Sequence, residues 1–196
     1  LQSDILGLSV LGMRNLLIDT RSPERASLVH NSDARLVADL YGPALLKVAA
    51  IMRDEGRFTS GASIKTPPVF YLGALIALEE YLPVEELSAA QFLVTTPLDD
   101  AHYPGDTLST YCAAHTDFLR TRPLLASLPL GNGSQGEADN DRNALDARAE
   151  ALVGTVETLK MCEGVRGCNM VLERFADLAI VERVACALAS RRNVQG

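Results

Sequence analysis

Tryptophan is absent from this chain, and five tyrosines and five phenylalanines are its only other aromatics of that class in 196 residues. A core built from such a sequence is aliphatic, and the abundance of Ala and Leu points to a high helix content. Basic residues are also short: 18 Lys and Arg face 25 Asp and Glu, for a net charge of -7. That balance excludes a nucleic-acid binder, because phosphate recognition needs a face that collects Lys and Arg. Small molecules and other protein subunits are the expected partners.

Long hydrophobic runs are missing as well. None approaches the roughly 18 residues of a membrane span, and no basic, apolar, small-residue signal pattern opens the chain. The expectation is a cytoplasmic protein with no membrane partner. Only four cysteines occur, Cys112, Cys162, Cys168 and Cys186. A reducing compartment keeps them as thiols. The gap between Cys162 and Cys168 is wider than the two to four residues typical of zinc knuckles, so no metal is expected. Leu1 is not an initiator Met, which fits a processed chain or one that opens inside a longer protein.

What is present is 47% hydrophobic sequence, enough to bury the core of one domain, taken here as residues 1–196. Apolar runs and amphipathic stretches alternate along it. "LQSDILGLSVLGMRN" places Ile5, Leu8, Leu11 and Met13 around small Gly7, Ser9 and Gly12, which predicts a helix packed closely on a sheet. "RNLLIDTRSP" reads as a buried strand, Leu16 to Ile18, running into Asp19, Thr20, Arg21 and Ser22 before Pro23. "SDARLVADLYGPALLKVAAIMRDEG" has helical spacing, with Pro43 kinking or restarting the helix and Gly56 stopping it. "PPVFYLGAL" predicts a second strand, Val69 to Leu72, and "VEELSA" a short helix.

The third strand, "QFLVTTP", ends in Thr95 and Thr96. "DTLSTYCAAHTDFLRTR" is the next helix and "PLLASLPL" the fourth strand. A polar glycine-rich loop, "GNGSQGEADND", precedes the helix "ALDARAEALVGTVETLKMC". "GVRGCNMVLE" is the fifth strand and "FADLAIVERVACALASRR" the last helix. Strands this uniformly apolar, alternating with helices, indicate an α/β fold whose parallel sheet is covered on both faces.

Several chemistries lack their signatures. The chain has no Gly-x-Gly-x-x-Gly fingerprint, no Walker A lysine loop and no Gly-x-Ser-x-Gly elbow. Gly131-Asn132-Gly133 reads as a turn, with phosphate binding as the alternative. His30, His102 and His115 have no paired spacing that marks ligands. Asp99 and Asp100 follow the third strand and read as solvated loop, or as acids and cofactor contacts at the carboxyl end. Glu79-Glu80 and Glu85-Glu86 read as helix termini and solvated faces. In parallel α/β proteins ligands meet the carboxyl ends of strands, so the Asp19–Ser22 cluster is either a site or a solvated strand end.

Five stretches in order, "QSDILGLSVLGMRNLLIDTRSP", "ADLYGPALLKV", "KTPPVFYLGAL", "AAQFLVTTPLDD" and "GVRGCNMVLER", together with "RPLLASLPL", resemble the methylenetetrahydrofolate reductase family. The resemblance covers most of the chain. It implies a (β/α)8 TIM-barrel type of fold of which strands four to eight are represented, and a flavin oxidoreductase of folate one-carbon metabolism that reduces 5,10-methylenetetrahydrofolate to 5-methyltetrahydrofolate. FAD is the implied cofactor, folate and a nicotinamide nucleotide the implied partners. An oligomer or a partner subunit would complete the barrel. Asp19, Thr20, Arg21, Ser22, Asp39, Gly73, Ala74 and Thr96 fall at implied cofactor positions, and Thr95, Thr96 and Arg174 at implied substrate positions.

The chain also departs from the family. Its first three βα units, with a catalytic Glu and a flavin-side His, have no counterpart. The family's flavin-side Asp falls on Ser22 and the adjacent Gly on Arg21, while its Gln falls on Thr96. A lysine expected within 83–86 is absent. Charge near the flavin ring tunes its electronics, so these exchanges alter the chemistry. Arg174 matches the arginine that pairs with the folate carboxylate tail, the role suited to a bidentate fork. A non-catalytic relative that binds a ligand or regulates a partner is the alternative reading.

Overall fold

A computed structural model describes residues 1–21, 41–80, 82–98, 106–130, 142–172 and 178–194. Its elements are α1 (Gln2–Val10), β1 (Asn15–Asp19), α2 (Gly42–Asp54), β2 (Tyr71–Ile76), β3 (Phe92–Pro97), α3 (Asp106–Ala114), α4 (Thr116–Thr121), β4 (Leu124–Pro129), α5 (Arg142–Leu159), β5 (Val165–Val171) and α6 (Leu178–Val194). The class is α/β, with a five-stranded parallel sheet in the order β1-β2-β3-β4-β5. The chain divides into two compact units, 1–96 with 117–124, and 97–116 with 125–196.

In the first unit, α1 stops because Gly12 takes φ of 82°, a left-handed conformation that glycine adopts without a Cβ penalty. Met13 N–H donates to Leu8 O and Gly12 N–H to Ser9 O, which satisfies the last carbonyls of the helix. The small residues of α1 do not serve close packing on a sheet: a Cβ on Gly7 would meet nothing within 4 Å. Leu11 and Met13 lie beyond the helix and are exposed. Pro43 sits in the first turn of α2, where its missing N–H costs nothing, and Gly56, at φ of 61°, follows the helix end.

The parallel register aligns Leu17 with Gly73 and Gly73 with Phe92, and one step on it aligns Ile18, Ala74 and Leu93. Parallel partners point to the same side of a sheet. The Ile18, Ala74, Leu93 side is therefore the core face, and all three residues are buried. Helix α2 supplies buried Leu46, Ala49 and Met52 to this unit. The other side is only partly covered, with Leu17 at 46% and Tyr71 at 60% exposure, so the expectation of two covered faces fails for β1 and β2.

Strand β2 runs four residues beyond the predicted Val69–Leu72. The stretch is apolar throughout, and pairing with both neighbours, not local sequence, sets its ends. "VEELSA" forms a series of turns closed by i to i−3 bonds, such as Leu87 N–H to Val84 O, in place of the predicted short helix.

In the second unit the predicted single helix over 106–122 begins as α3 and ends at His115, after which α4 starts. Thr116 Oγ1 donates to Cys112 O at 3.0 Å, a side-chain bond that competes with the helical ladder and marks the break. Ala149, Val153, Ile180 and Val184 make the core between α5 and α6, with Met170 of β5 packed against it. Arg183 to Asp146, at 2.5 Å, and Arg191 to Glu150 join the same two helices at their rim.

Gly73 tests the register directly. A Cβ there would lie 2.4 Å from two ring atoms of Phe92 and 3.0 Å from Leu17 Cδ1. Overpacking of this kind costs about 1–3 kcal/mol. Gly73→Ala is expected to lower the unfolding free energy measured in urea by that amount, and Gly73→Ala with Phe92→Leu to regain part of it.

Candidate functional site

The carboxyl ends of β1, β2 and β3 share one edge of the first unit, because the strands are parallel and Asp19 aligns with Leu75, and Ile76 with Thr95. Of the residues that the resemblance brings forward, Asp19, Thr20, Arg21, Thr95 and Thr96 lie at that edge. Ser22, Asp39 and Arg174 lie outside the described residues, as do Asp99, Asp100, His30, His102 and the Gly131–Gly133 turn.

Asp19 and Arg21 close on each other. Arg21 Nε donates to Asp19 Oδ1 at 2.9 Å and Nη2 to Oδ2 at 2.6 Å, while the Arg21 backbone N–H donates to Oδ1 at 3.1 Å. The backbone bond is an Asx turn, which an aspartate two residues upstream favours where a strand must stop. The fork above it is the bidentate pairing that arginine geometry suits. Hydrogen bonding to Arg21 holds the Asp19 carboxyl below its ordinary value, against the opposing effect of partial burial. Arg21 is raised by the same bond.

Thr20 points the other way along the pleat and is 2% exposed. Its Oγ1 donates to Leu75 O at 2.7 Å, so the hydroxyl ties β1 to β2. Thr95 is fully buried on the same face as Thr20, with Ile76 between them in register. Thr96 is half-buried on the opposite face, beside Val94.

Gly73 and Ala74 are not at the strand end. They occupy the middle of β2, paired with Leu17 and Ile18, and both are buried. Their sequence position was misleading because β2 extends to Ile76. Of the described residues at implied cofactor positions, Gly73 faces the Phe92 ring, the Thr20 hydroxyl donates to Leu75 O, and Asp19 and Arg21 pair with one another.

Sequence reasoning missed a cleft of about 640 Å3 at the opposite, amino end of β2 and β3, lined by Arg53, Asp54, Tyr71, Gln91, Phe92 and Arg122 among others. Arg122 Nε and Nη2 donate to Ala90 O and Ser88 O, both at 2.9 Å, and its guanidinium lies 4.6 Å from the Phe118 ring centroid. Arg53 forks onto Asp54 and donates to Gln91 Oε1, which in turn accepts the Leu72 N–H. Arg122 thus pins two turn carbonyls, and Arg53 reaches the β2 backbone through Gln91. Gln91 and Arg122 could have been noticed as polar residues one or two positions before an apolar strand, whereas Arg53, in α2, carried no such signal.

Among the described residues no group of three or more His, Cys, Asp or Glu side chains has the arrangement to hold a metal ion, and no helix is long and apolar enough to cross a membrane.

The pair at the strand end gives a pH prediction. Because the folded Asp19 pKa is depressed, its contribution to stability is present above the ordinary value of 3.8 and is lost as pH falls through the folded value. The pair is partly exposed, so its size is below about 1 kcal/mol. Urea unfolding should show Asp19→Asn slightly less stable than wild type at pH 7, with the difference gone once the carboxyl is protonated. A difference that persisted unchanged in acid would assign the effect to something other than the ion pair. In comparison with known proteins, the chain matches no protein-family model and no curated protein.

Proposed function

We propose that this chain is a non-catalytic relative of methylenetetrahydrofolate reductase, a binding or regulatory subunit of folate one-carbon metabolism acting in the cytoplasm. In this reading its strands correspond to four to eight of a (β/α)8 barrel, completed by further chain or by a partner subunit. The observation that carries it is the closed Asp19–Arg21 fork at the carboxyl edge of β1. A carboxylate already neutralised by its own neighbour has no free charge with which to tune a flavin ring. The order of the six quoted stretches supports the family, and the parallel strand order is compatible with part of a barrel. The half-open face that bears Leu17 and Tyr71 suits a partner.

The ligand in this reading is a folate, held by its carboxylate tail on Arg174. Losing charged or bidentate contacts at about 1.5–3 kcal/mol each weakens flavin binding by several orders of magnitude, whereas one retained arginine keeps a carboxylate subsite.

The second reading is an active reductase that takes hydride from a nicotinamide nucleotide through FAD. The placement of Asp19, Thr20 and Thr96 at one strand edge favours it, since that is the edge where α/β proteins meet ligands. Titration of the purified full-length protein with FAD, followed by its visible spectrum and by methylenetetrahydrofolate reduction, separates the two. Weak or absent FAD, with folate binding that Arg174→Ala abolishes, is the expected result. Stoichiometric FAD with turnover establishes the reductase instead.

A further inference from the structure

Two cysteines in the second unit line one cavity although 49 residues separate them in sequence. Ser109 and Cys112 are one turn apart on α3, and Cys162 lies in the turn between α5 and β5. Ser109 Oγ and Cys162 Sγ are 3.8 Å apart. Residues one helical turn apart have Cβ atoms about 5–6 Å from each other, so the contact at Ser109 brings Cys162 beside Cys112 as well. Ser109, Cys112, Thr158 and Cys162 line one cavity of about 440 Å3. Cys168 on β5 and Cys186 on α6 do not line it.

The two cysteines have different surroundings. Cys112 is 3% exposed, and burial, with a smaller contribution from Cys162, pushes its thiol up to about 11. Cys162 is partly accessible from the turn, two residues before Gly164, whose φ of 99° only glycine adopts freely. Among the described residues no group of three or more His, Cys, Asp or Glu includes these two sulfurs in an arrangement that could hold a metal, so they do not make the closed four-ligand site of structural zinc. An accessible thiol next to a second, sheltered one is the arrangement of a sulfur pair that oxidises in two steps.

We propose that Cys112 and Cys162 form a redox-active dithiol that closes into an intrachain disulfide in the presence of a hydroperoxide. Cys162, as thiolate, attacks one peroxide oxygen. The O–O bond breaks, the departing oxygen leaves as water after taking a proton, and Cys162 becomes a sulfenic acid. The Cys112 sulfur then attacks Cys162 Sγ, the S–S bond forms, and the S–O bond breaks. The leaving hydroxide takes the Cys112 proton as a second water. Overall two thiols are oxidised to one disulfide and one hydrogen peroxide is reduced to two waters. Rotation about Cα–Cβ of Cys162 swings its Sγ from Ser109 toward Cys112, and closing the bond requires the two Cβ atoms about 3.5–4.5 Å apart. Burial slows the second step by keeping Cys112 protonated, and enclosure in the same cavity offsets this by proximity.

The sequence makes the test unambiguous, since trypsin places the four cysteines on four peptides, 66–120, 161–166, 167–174 and 184–191. The full-length protein is treated with hydrogen peroxide, alkylated without reduction, digested and examined by mass spectrometry. The expected product is peptide 66–120 joined to 161–166 with the loss of two hydrogens, and a fall in free thiols from four to two. Cys162→Ser, in a partly accessible turn, should abolish the link and leave Cys112 alkylatable, while Cys168→Ser and Cys186→Ser should leave the link intact. The proposal is overturned if Cys162 accumulates as sulfenic or sulfinic acid beside an unmodified Cys112. A link from Cys162 to Cys168 or Cys186, or four free thiols after treatment, overturns it equally. None of these outcomes depends on whether flavin or folate binds.

Discussion

The Phe92 ring lies where the Cβ of any other residue at position 73 would be. This close approach fixes Leu17, Gly73 and Phe92 in one row across β1, β2 and β3, and the row fixes every other alignment in the first unit. One residue of slip would move Ile18, Ala74 and Leu93 from the core face to the half-open face and leave α2 without its apolar partner. The strand-end residues Asp19, Thr20 and Thr95 owe their common edge to the same register. A glycine in mid-strand is a packing requirement here.

Local closure dominates the chemistry of that edge. The Asp19 carboxylate accepts the Arg21 backbone N–H and its guanidinium, and the Thr20 hydroxyl reaches the Leu75 carbonyl. The polar groups that β1 delivers to its end are thus engaged within two residues or by the adjacent strand. At the amino end, Arg53 and Arg122 likewise bind turn carbonyls and neighbouring side chains. At these positions charged side chains stabilise turn backbone and neighbouring side chains at both ends of the strands.

The second unit relies on a different contact. Helices α5 and α6 share the core of Val153, Ile180 and Val184, closed at the rim by Arg183 with Asp146 and Arg191 with Glu150. The turn after α5 then carries Cys162 to α3, where the break at His115 ends the helix just after Cys112. Packing of helices in this unit creates the thiol pair as a consequence.

The sequence by itself determined the α/β class and the places of all five strands, because short apolar runs bounded by Pro, Gly and Asp are local signals. It also marked Pro43 as a kink or restart and Gly56 as the stop of the helix that becomes α2, since those residues act through their own backbone. The extent of β2 was not legible, as "VFYLGALIAL" is apolar throughout and only pairing with β1 and β3 decides which part is strand. Gly73 and Ala74 were therefore placed at the strand end when they lie inside it. The split of the helix at His115 depended on a Thr116 side-chain bond that periodicity does not register. Composition and spacing identified Asp19 and Arg21 as a cluster, but only coordinates decided that each is the other's partner. The approach of Cys162 to Ser109 and the cavity it shares with Cys112 were wholly tertiary, because proximity across that length of chain exists only once the helices between them have packed.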